Sequence, residues 1–252
     1  MLARRIVVAL DIKDGRVVKG IKFENLKDAG NPVELARCYE SEGADEIVFL
    51  DITASFERRR TLLNLAKSIA KEIFIPFTVG GGIRSIEDIR EIVKIGADKV
   101  FLNTAAVENP EIIKNAAKIL GSSNLVIAID AKWNGSYWEV YTHGGKKPQG
   151  MNVMEWAKKV EKLGAGEILL TSMDTDGTGK GFDIRLVRRI VEVVNIPVIA
   201  SGGGGTPEHF YQVFRAGADA ALAASMFHYK RYTIKDVKKE LARRGIPVRM
   251  EW

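Results

Sequence analysis

Two aspartates, Asp11 and Asp130, each close a short run of aliphatic residues, Arg5 to Asp11 and Leu125 to Asp130. Carboxylates partly shielded from water at strand ends can hold different pKa values, which suits a general acid and general base pair. Taken singly, each is also explained as a loop cap or as an ion-pair partner of Lys19 or Lys132. Two glycine segments, Gly80-Gly81-Gly82 and Gly202-Gly203-Gly204-Gly205, let backbone N–H groups approach a phosphate closely. The small polar stretches Asn103-Thr104-Ala105 and Ala224-Ser225 can complete one cradle each. Asp176, in Asp174-Thr175-Asp176-Gly177-Thr178, can hold a hydroxyl or orient a phosphate loop, and is equally explained as a turn residue. Arg5, Glu46, Lys99 and Glu167 lie near strand starts, where alternation turns them to the same inner face as Asp11, Asn103 and Thr171. Two acids and two bases there predict a closed ion-pair ring. Buried charges are a poor route to stability alone, so the ring suggests a gate or an interface. No metal site suggests itself, because His143, His209 and His228 lie far apart and no paired His/Cys spacing occurs. Cys38, flanked at helical spacing by Leu35 and Tyr39, reads as a packed thiol rather than a nucleophile.

The elements that must position these groups alternate along the chain. Strands are expected at Arg5 to Asp11, Glu46 to Asp51, Pro76 to Gly80, Lys99 to Asn103, Leu125 to Asp130, Glu167 to Ser172, Pro197 to Ser201 and Ala220 to Ala224. Helical periodicity follows at Pro32 to Ser41, Arg59 to Lys71, Ser85 to Ile95, Pro110 to Leu120, Val153 to Leu163, Asp183 to Val194, Pro207 to Ala216 and Ile234 to Arg244. Asn31-Pro32, Asn109-Pro110 and Thr206-Pro207 carry cap chemistry: a polar side chain to accept an orphan N–H and a proline to fix the first turn. Eight strands each followed by a helix specify an α/β fold, a single (β/α)8 barrel of the TIM type. In such a barrel, function sits where strands end. That is where both aspartates and both glycine segments fall.

An internal repeat decides the domain organisation. Gly43-Ala44-Asp45-Glu46 recurs as Gly164-Ala165-Gly166-Glu167, Ile75-Pro76 as Ile196-Pro197, Gly81-Gly82 as Gly202-Gly203, and Gly96-Ala97-Asp98 as Gly217-Ala218-Asp219, all at one offset. Two (βα)4 half-barrels, about 1–121 and 122–252, would each expose open sheet edges. Closing them on each other gives one domain over 1–252. The two phosphate cradles then face each other across the barrel mouth, so a small molecule with a phosphate at each end is the natural guest. The net charge of +6 arises from basic residues mixed with acids along the whole chain, which favours such an anionic ligand over nucleic acid. The longest stretch without Asp, Glu, Lys or Arg runs from Val193 to Pro207 and contains glycines and prolines, which excludes a spanning helix there. The first residues lack the apolar core of a secretory signal, and one cysteine fits a reducing compartment, so a cytoplasmic protein without membrane contact is expected.

Six segments, each at its own βα loop and in order, resemble one family along nearly the whole chain. They are Leu10-Asp11-Ile12-Lys13-Asp14-Gly15-Arg16-Val17-Val18-Lys19-Gly20, Phe49-Leu50-Asp51-Ile52-Thr53-Ala54-Ser55, Val79-Gly80-Gly81-Gly82-Ile83, Asn103-Thr104-Ala105-Ala106-Val107, Asp176-Gly177-Thr178 and Ala200-Ser201-Gly202-Gly203. They look like the cyclase subunit of imidazole glycerol phosphate synthase, of histidine biosynthesis. The sugar isomerase of the preceding step shares the half-barrel repeat and glycine loops and is the alternative, beside a phosphate-binding or redesigned barrel that no longer turns over. The resemblance implies a lyase without metal or nucleotide cofactor. Ammonia from a glutaminase partner, docked at the N-terminal face, adds to a phosphoribulosyl-formimino aminoimidazole carboxamide ribonucleotide, and the adduct closes and splits. By the same resemblance Asp11 and Asp130 are the acid and base. Gly82, Asn103 and Thr104 hold one phosphate, while Gly177, Gly203, Ala224 and Ser225, with Asp176 beside them, hold the other. Lys19 closes over the substrate, and Arg5, Glu46, Lys99 and Glu167 form an ammonia gate. The chain departs from the family pattern at Ala9, Phe101, Thr175 and Gly204. Phe101 is the departure with a mechanical consequence, since an inward ring between Lys99 and Asn103 stands on the expected ammonia path.

Overall fold

The computed structural model describes residues 2–21, 24–51 and 56–251. In chain order the strands and helices run β1 (Arg5–Lys13), β2 (Arg16–Ile21), β3 (Glu24–Gly30), α1 (Pro32–Ser41), β4 (Glu46–Asp51), α2 (Phe56–Ile69), β5 (Phe77–Gly80), α3 (Ile86–Lys94), β6 (Lys99–Leu102), α4 (Thr104–Glu108) and α5 (Glu111–Leu120). The second part continues β7 (Leu125–Trp133), β8 (Trp138–Thr142), β9 (Lys147–Asn152), α6 (Val153–Leu163), β10 (Glu167–Ser172), α7 (Ile184–Val191), β11 (Val198–Ser201), α8 (Pro207–Arg215), β12 (Ala220–Ala223), α9 (Ser225–His228) and α10 (Ile234–Arg243). Eight of the strands pair in parallel in the order β1, β4, β5, β6, β7, β10, β11, β12, and β12 returns to β1, so the sheet closes into a (β/α)8 barrel. All eight expected barrel strands are present. The outward faces of the strands and the inward faces of the helices form one core, with Ile6, Val8, Phe49, Leu102, Ile127 and Trp156 all buried in it.

Two additions interrupt the expected βα alternation. β2 and β3 form an antiparallel hairpin after β1, braced by Arg16 Nε donating to Asp28 Oδ2 at 3.0 Å. β8 and β9 form a second one after β7. Two short helices, α4 and α9, also follow β6 and β12 at matching positions of the two halves. Of the three expected caps, only Asn31 acts as one, its side chain accepting from the N–H groups of Val33 and Glu34. Asn109 lies one residue too early, since Pro110 occupies the cap position of α5, and Thr206 stands at the cap position of α8 but makes no side-chain hydrogen bond there. Cys38 is a further correction. Pro32, Ala36 and Tyr39 form the buried stripe of α1, which leaves the thiol exposed, 3.8 Å from Glu42 Oε1.

The repeat is written into the backbone. Asp98 Oδ2 accepts from Phe77 N at 2.9 Å and its counterpart Asp219 Oδ2 accepts from Val198 N at 3.1 Å, each tying one strand start to the next. Glu40 accepts from Phe74 N, and its counterpart Glu161 from Asn195 N. Gly81 and Gly202 hold φ of +94° and +93°, and a Cβ at either would overlap a carbonyl of the preceding barrel strand, that of Asp51 or Ser172. Only glycine meets both demands.

Inside the barrel lies a separate apolar layer of Val7, Ala9, Val48, Phe101, Val126, Ala128, Leu169, Ile199, Ala220 and Leu222. Phe101 belongs to it, and its ring occupies the space left by the missing side chain of Gly80 on the neighbouring strand. A methyl group there would overlap the ring. Gly80→Ala is therefore expected to lower stability by about 1–3 kcal/mol through overpacking, read as a lower urea midpoint, with Gly80→Ala/Phe101→Leu recovering most of the loss. Equal midpoints for Gly80→Ala and the parent would show that the ring is free to move aside.

Candidate active site

The two faces of the barrel carry different chemistry because the inner surface is read in steps of two along each strand. On β1 the inward residues run Arg5, Val7, Ala9, Asp11, from the strand starts to the strand ends. β6, with Lys99, Phe101 and Asn103, and β10, with Glu167, Leu169 and Thr171, follow the same order, from charge through apolar side chains to polar groups.

At the strand starts, Arg5, Glu46, Lys99 and Glu167 form a closed circuit. Arg5 Nη1 donates to Glu46 Oε2 at 2.8 Å and Arg5 Nη2 donates to Glu167 Oε1. Lys99 Nζ lies 2.9 Å from Glu46 Oε2 and 2.8 Å from Glu167 Oε2. Both glutamates are buried, whereas the Arg5 and Lys99 side chains keep 27% and 17% of their surface in contact with solvent. Thr78, not singled out in the sequence, completes the set by donating its hydroxyl to Glu46 Oε1 at 2.6 Å. Its signal was available: it stands two residues before Gly80 on an inward position of β5.

At the strand ends, Asp11 occupies the last inward position of β1 next to the apolar layer and is buried. Asp130 stands at the equivalent level of β7, the fifth barrel strand and so diametrically across the sheet order. Asn103, between β6 and α4, donates Nδ2–H to Asp130 Oδ2 at 2.9 Å, while its buried Oδ1 finds no partner among the described residues. Burial pushes the Asp130 carboxyl up to about 6; the Asn103 hydrogen bond opposes that rise and the charge of Asp176 adds to it. Asn103 thus supports a carboxylate with one end of its amide and offers an unused acceptor with the other.

The other singled-out residues come to the same rim. Gly82 follows β5, Thr104 begins α4, and Gly203 follows β11, while Ala224 caps α9 and Ser225 begins it. Asp176 and Gly177 lie in the loop after β10, and that loop is fastened to the next by Gly181 N donating to Gly203 O at 2.8 Å. Thr175, one of the departures, donates its hydroxyl to Gly202 O at 3.0 Å within the same pair of loops. A Cβ at Gly204, another departure, would press on the Phe182 ring. Lys19 lies on β2 in the hairpin beside Asp11, since Asp11 pairs with Val18, but its side chain and the Ile52-Thr53-Ala54-Ser55 segment lie outside the described residues. Among the described residues no group of three or more His, Cys, Asp or Glu is placed to hold a metal, and no helix is long and apolar enough to cross a membrane.

A raised carboxyl pKa leaves a pH signature in stability. The native state binds the Asp130 proton more tightly than the unfolded chain does, so stability falls as pH rises from about 4 through about 6 and then levels off. Asp130→Asn does not titrate and should be more stable than the parent at pH 8 by about 3 kcal/mol, read as a higher denaturant midpoint. At pH 4 the difference should vanish. A constant difference across that range would remove burial of charge as its cause.

Comparison with known proteins gives the family. Residues 5–233 match the family model of the histidine biosynthesis protein. The chain is 71% identical over 252 residues to the imidazole glycerol phosphate synthase subunit HisF of Thermococcus onnurineus, with 100% of both chains covered. It is 69% identical over 251 residues to that of Pyrococcus furiosus, again with 100% of both covered. With the Petrotoga mobilis HisF subunit the identity is 61% over 252 residues, covering 99% of this chain and 100% of the relative. The chain therefore belongs to the histidine biosynthesis protein family and, within it, to the imidazole glycerol phosphate synthase HisF subunits, which are enzymes.

Proposed function

We propose that the barrel mouth binds a phosphoribulosyl-formimino aminoimidazole carboxamide ribonucleotide and, with ammonia, converts it to imidazole glycerol phosphate and aminoimidazole carboxamide ribonucleotide. The observation that carries the reading is the pairing of Asp11 and Asp130 at the ends of opposite strands, between two loop pairs of the same repeat phase. Gly82, Asn103 and Thr104 take one phosphate; Gly177, Gly203, Ala224 and Ser225 take the other, with Asp176 orienting its loop. Backbone N–H groups of glycine loops and the first turns of α4 and α9 supply the donors such a ligand needs. Lys19, from the β2–β3 hairpin, closes over the substrate.

The acid and base divide by environment. A carboxyl of pKa about 6 is mostly ionised at neutral pH yet close enough to it to receive and return a proton, so Asp130 serves as a base that becomes an acid once protonated. Asp11 acts on the ring-closing side, across the bore. The four-membered charged ring at the opposite end acts as the ammonia gate, and the surrounding N-terminal face receives a glutaminase subunit in a heterodimer. The whole chain, 1–252, works as one domain, in the cytoplasm.

Steady-state turnover of the ribulosyl substrate with ammonium chloride tests the reading. Asp11→Asn and Asp130→Asn are each expected to lower kcat by about 10²–10⁴ while the fold is kept. Parent-like turnover in Asp11→Asn would remove Asp11 from its role, and conversion of the ribosyl to the ribulosyl isomer without imidazole product would identify an isomerase instead. A second test addresses the path between gate and site. Phe101→Ser is expected to raise the glutamine-dependent rate, measured with the glutaminase subunit, relative to the ammonium-dependent rate. An unchanged ratio would take Phe101 off the path.

A further inference from the structure

The strand that carries Asp130 continues beyond the barrel. β7 runs on to Trp133 and returns as β8, so that Asp130 pairs with Tyr141 and Trp133 with Trp138. The hairpin so formed touches the surroundings of both phosphate cradles. At its turn end, where Trp133 faces Trp138, it grips the β10 loop at two points. Trp133 N donates to Asp174 Oδ2 at 2.9 Å, and Trp138 Nε1 donates to Asp183 Oδ2 at 3.2 Å. Those two aspartates bracket Asp176 and Gly177. Met173 N also donates to Ala131 O at 2.9 Å, continuing the barrel ladder into the loop. Arg185, in the first turn of α7, lays its guanidinium 4.8 Å from the Trp133 ring centroid and 5.0 Å from that of Trp138. The two indoles meet edge to face at 4.8 Å.

At its root, where Tyr141 faces Asp130, the hairpin reaches the other cradle. His143, with φ of +56°, donates its backbone N–H to Thr104 Oγ1 at 3.0 Å, and its imidazole Nε2 lies 3.6 Å from Glu108 Oε1 on α4. A left-handed conformation at a residue other than glycine persists where the surroundings hold it. One rigid antiparallel pair therefore connects the Gly177 loop to the Thr104 hydroxyl, and it contains Asp130 itself.

We propose that this hairpin is a positioning strap that couples the two phosphate cradles, with Arg185 seated on Trp133 and Trp138 as its anchor. The inference rests on the two-phosphate reading given above. Arg185 is a positioning residue: it acts through the indoles, the indoles fix the hairpin on the β10 loop, and the His143 N–H holds Thr104 in register with Gly177. A ligand bridging both cradles feels the strap, because covalent geometry limits the span its two phosphates can cover and any shift between the cradles must be met by a change in ligand conformation. Arg185 is exposed, and an exposed cation over aromatic rings contributes little to global stability, so its removal separates positioning from folding.

The test is a double-mutant cycle on the KM of the ribulosyl substrate, with ammonium chloride as nitrogen source and the thermal midpoint of every variant recorded. Arg185→Ala is expected to raise KM about fivefold with kcat within about twofold of the parent and the midpoint nearly unchanged, and Arg185→Lys to restore most of the affinity. In a Thr104→Ala background, which removes the acceptor of the His143 bond, the same Arg185→Ala change should raise KM less than about twofold. Equal effects of Arg185→Ala in both backgrounds, or no effect in the first, would overturn the strap. A parent that turns over while Thr104→Ala leaves KM unchanged fails differently: it removes Thr104 from the cradle, and the two-phosphate reading falls with the strap.

Discussion

Closure of eight parallel strands is the constraint on which the rest depends. Once β12 pairs with β1, every second residue of every barrel strand is committed to one shared interior, and neither size nor polarity there is a local choice. The register carries this across strands: Phe101 pairs with both Gly80 and Val126, and Leu169 with Ala128 and Ile199. A large ring on β6 therefore requires an absent side chain on β5. The same bookkeeping stacks charged, apolar and polar side chains in successive levels and keeps the carboxylates of one level apart from those of the other.

The charged level is costly by construction. Two glutamates removed from water each carry a desolvation penalty of several kcal/mol, offset only because every carboxylate has two cationic partners and Glu46 also receives the Thr78 hydroxyl. An apolar plug would serve folding as well. Arg5 and Lys99, unlike the two glutamates, keep part of their side chains in contact with solvent. The opposite level uses burial differently. At Asp130 it raises the carboxyl pKa to about 6, against the opposing hydrogen bond from Asn103, where the ring glutamates are instead paired with cations.

Much of this was legible in the sequence because barrel strands are short, β-branched and followed by amphipathic helices, and because the half-barrel offset repeats both the hydrophobic pattern and the glycines. Helices α1 and α6 begin and end where periodicity and capping put them, at Pro32–Ser41 and Val153–Leu163. The four residues of the charged ring were found by alternation alone. What escaped was structure without a periodic signature. The segment that forms β9, Lys147–Asn152, has no alternation of apolar and polar residues to announce a strand, and the four-residue α9 is too short to show a period. Cys38 was misplaced because Leu35, three residues before it, suggested that it shares a buried side of α1, whereas the buried stripe runs through Pro32, Ala36 and Tyr39. The tie between Asn103 and Asp130 joins the end of β6 to the neighbouring strand β7 and depends on a side-chain direction that spacing does not encode.

The enclosure of the charged ring also fixes how it responds to its surroundings. Surface pairs such as Arg16 with Asp28 or Arg189 with Glu192 stand in water and weaken as ionic strength rises. Glu46 and Glu167 are almost entirely removed from solvent, so dissolved salt screens their attraction to Arg5 and Lys99 far less. Heat acts in the opposite sense to salt. The hydration that charged groups forgo on burial becomes less favourable with rising temperature, so the penalty for keeping the ring dry shrinks while the gain from apolar burial levels off. The ring is thus the part of the interior whose net contribution improves on warming, and the narrow end of the barrel should hold its shape under conditions that loosen the surface around it.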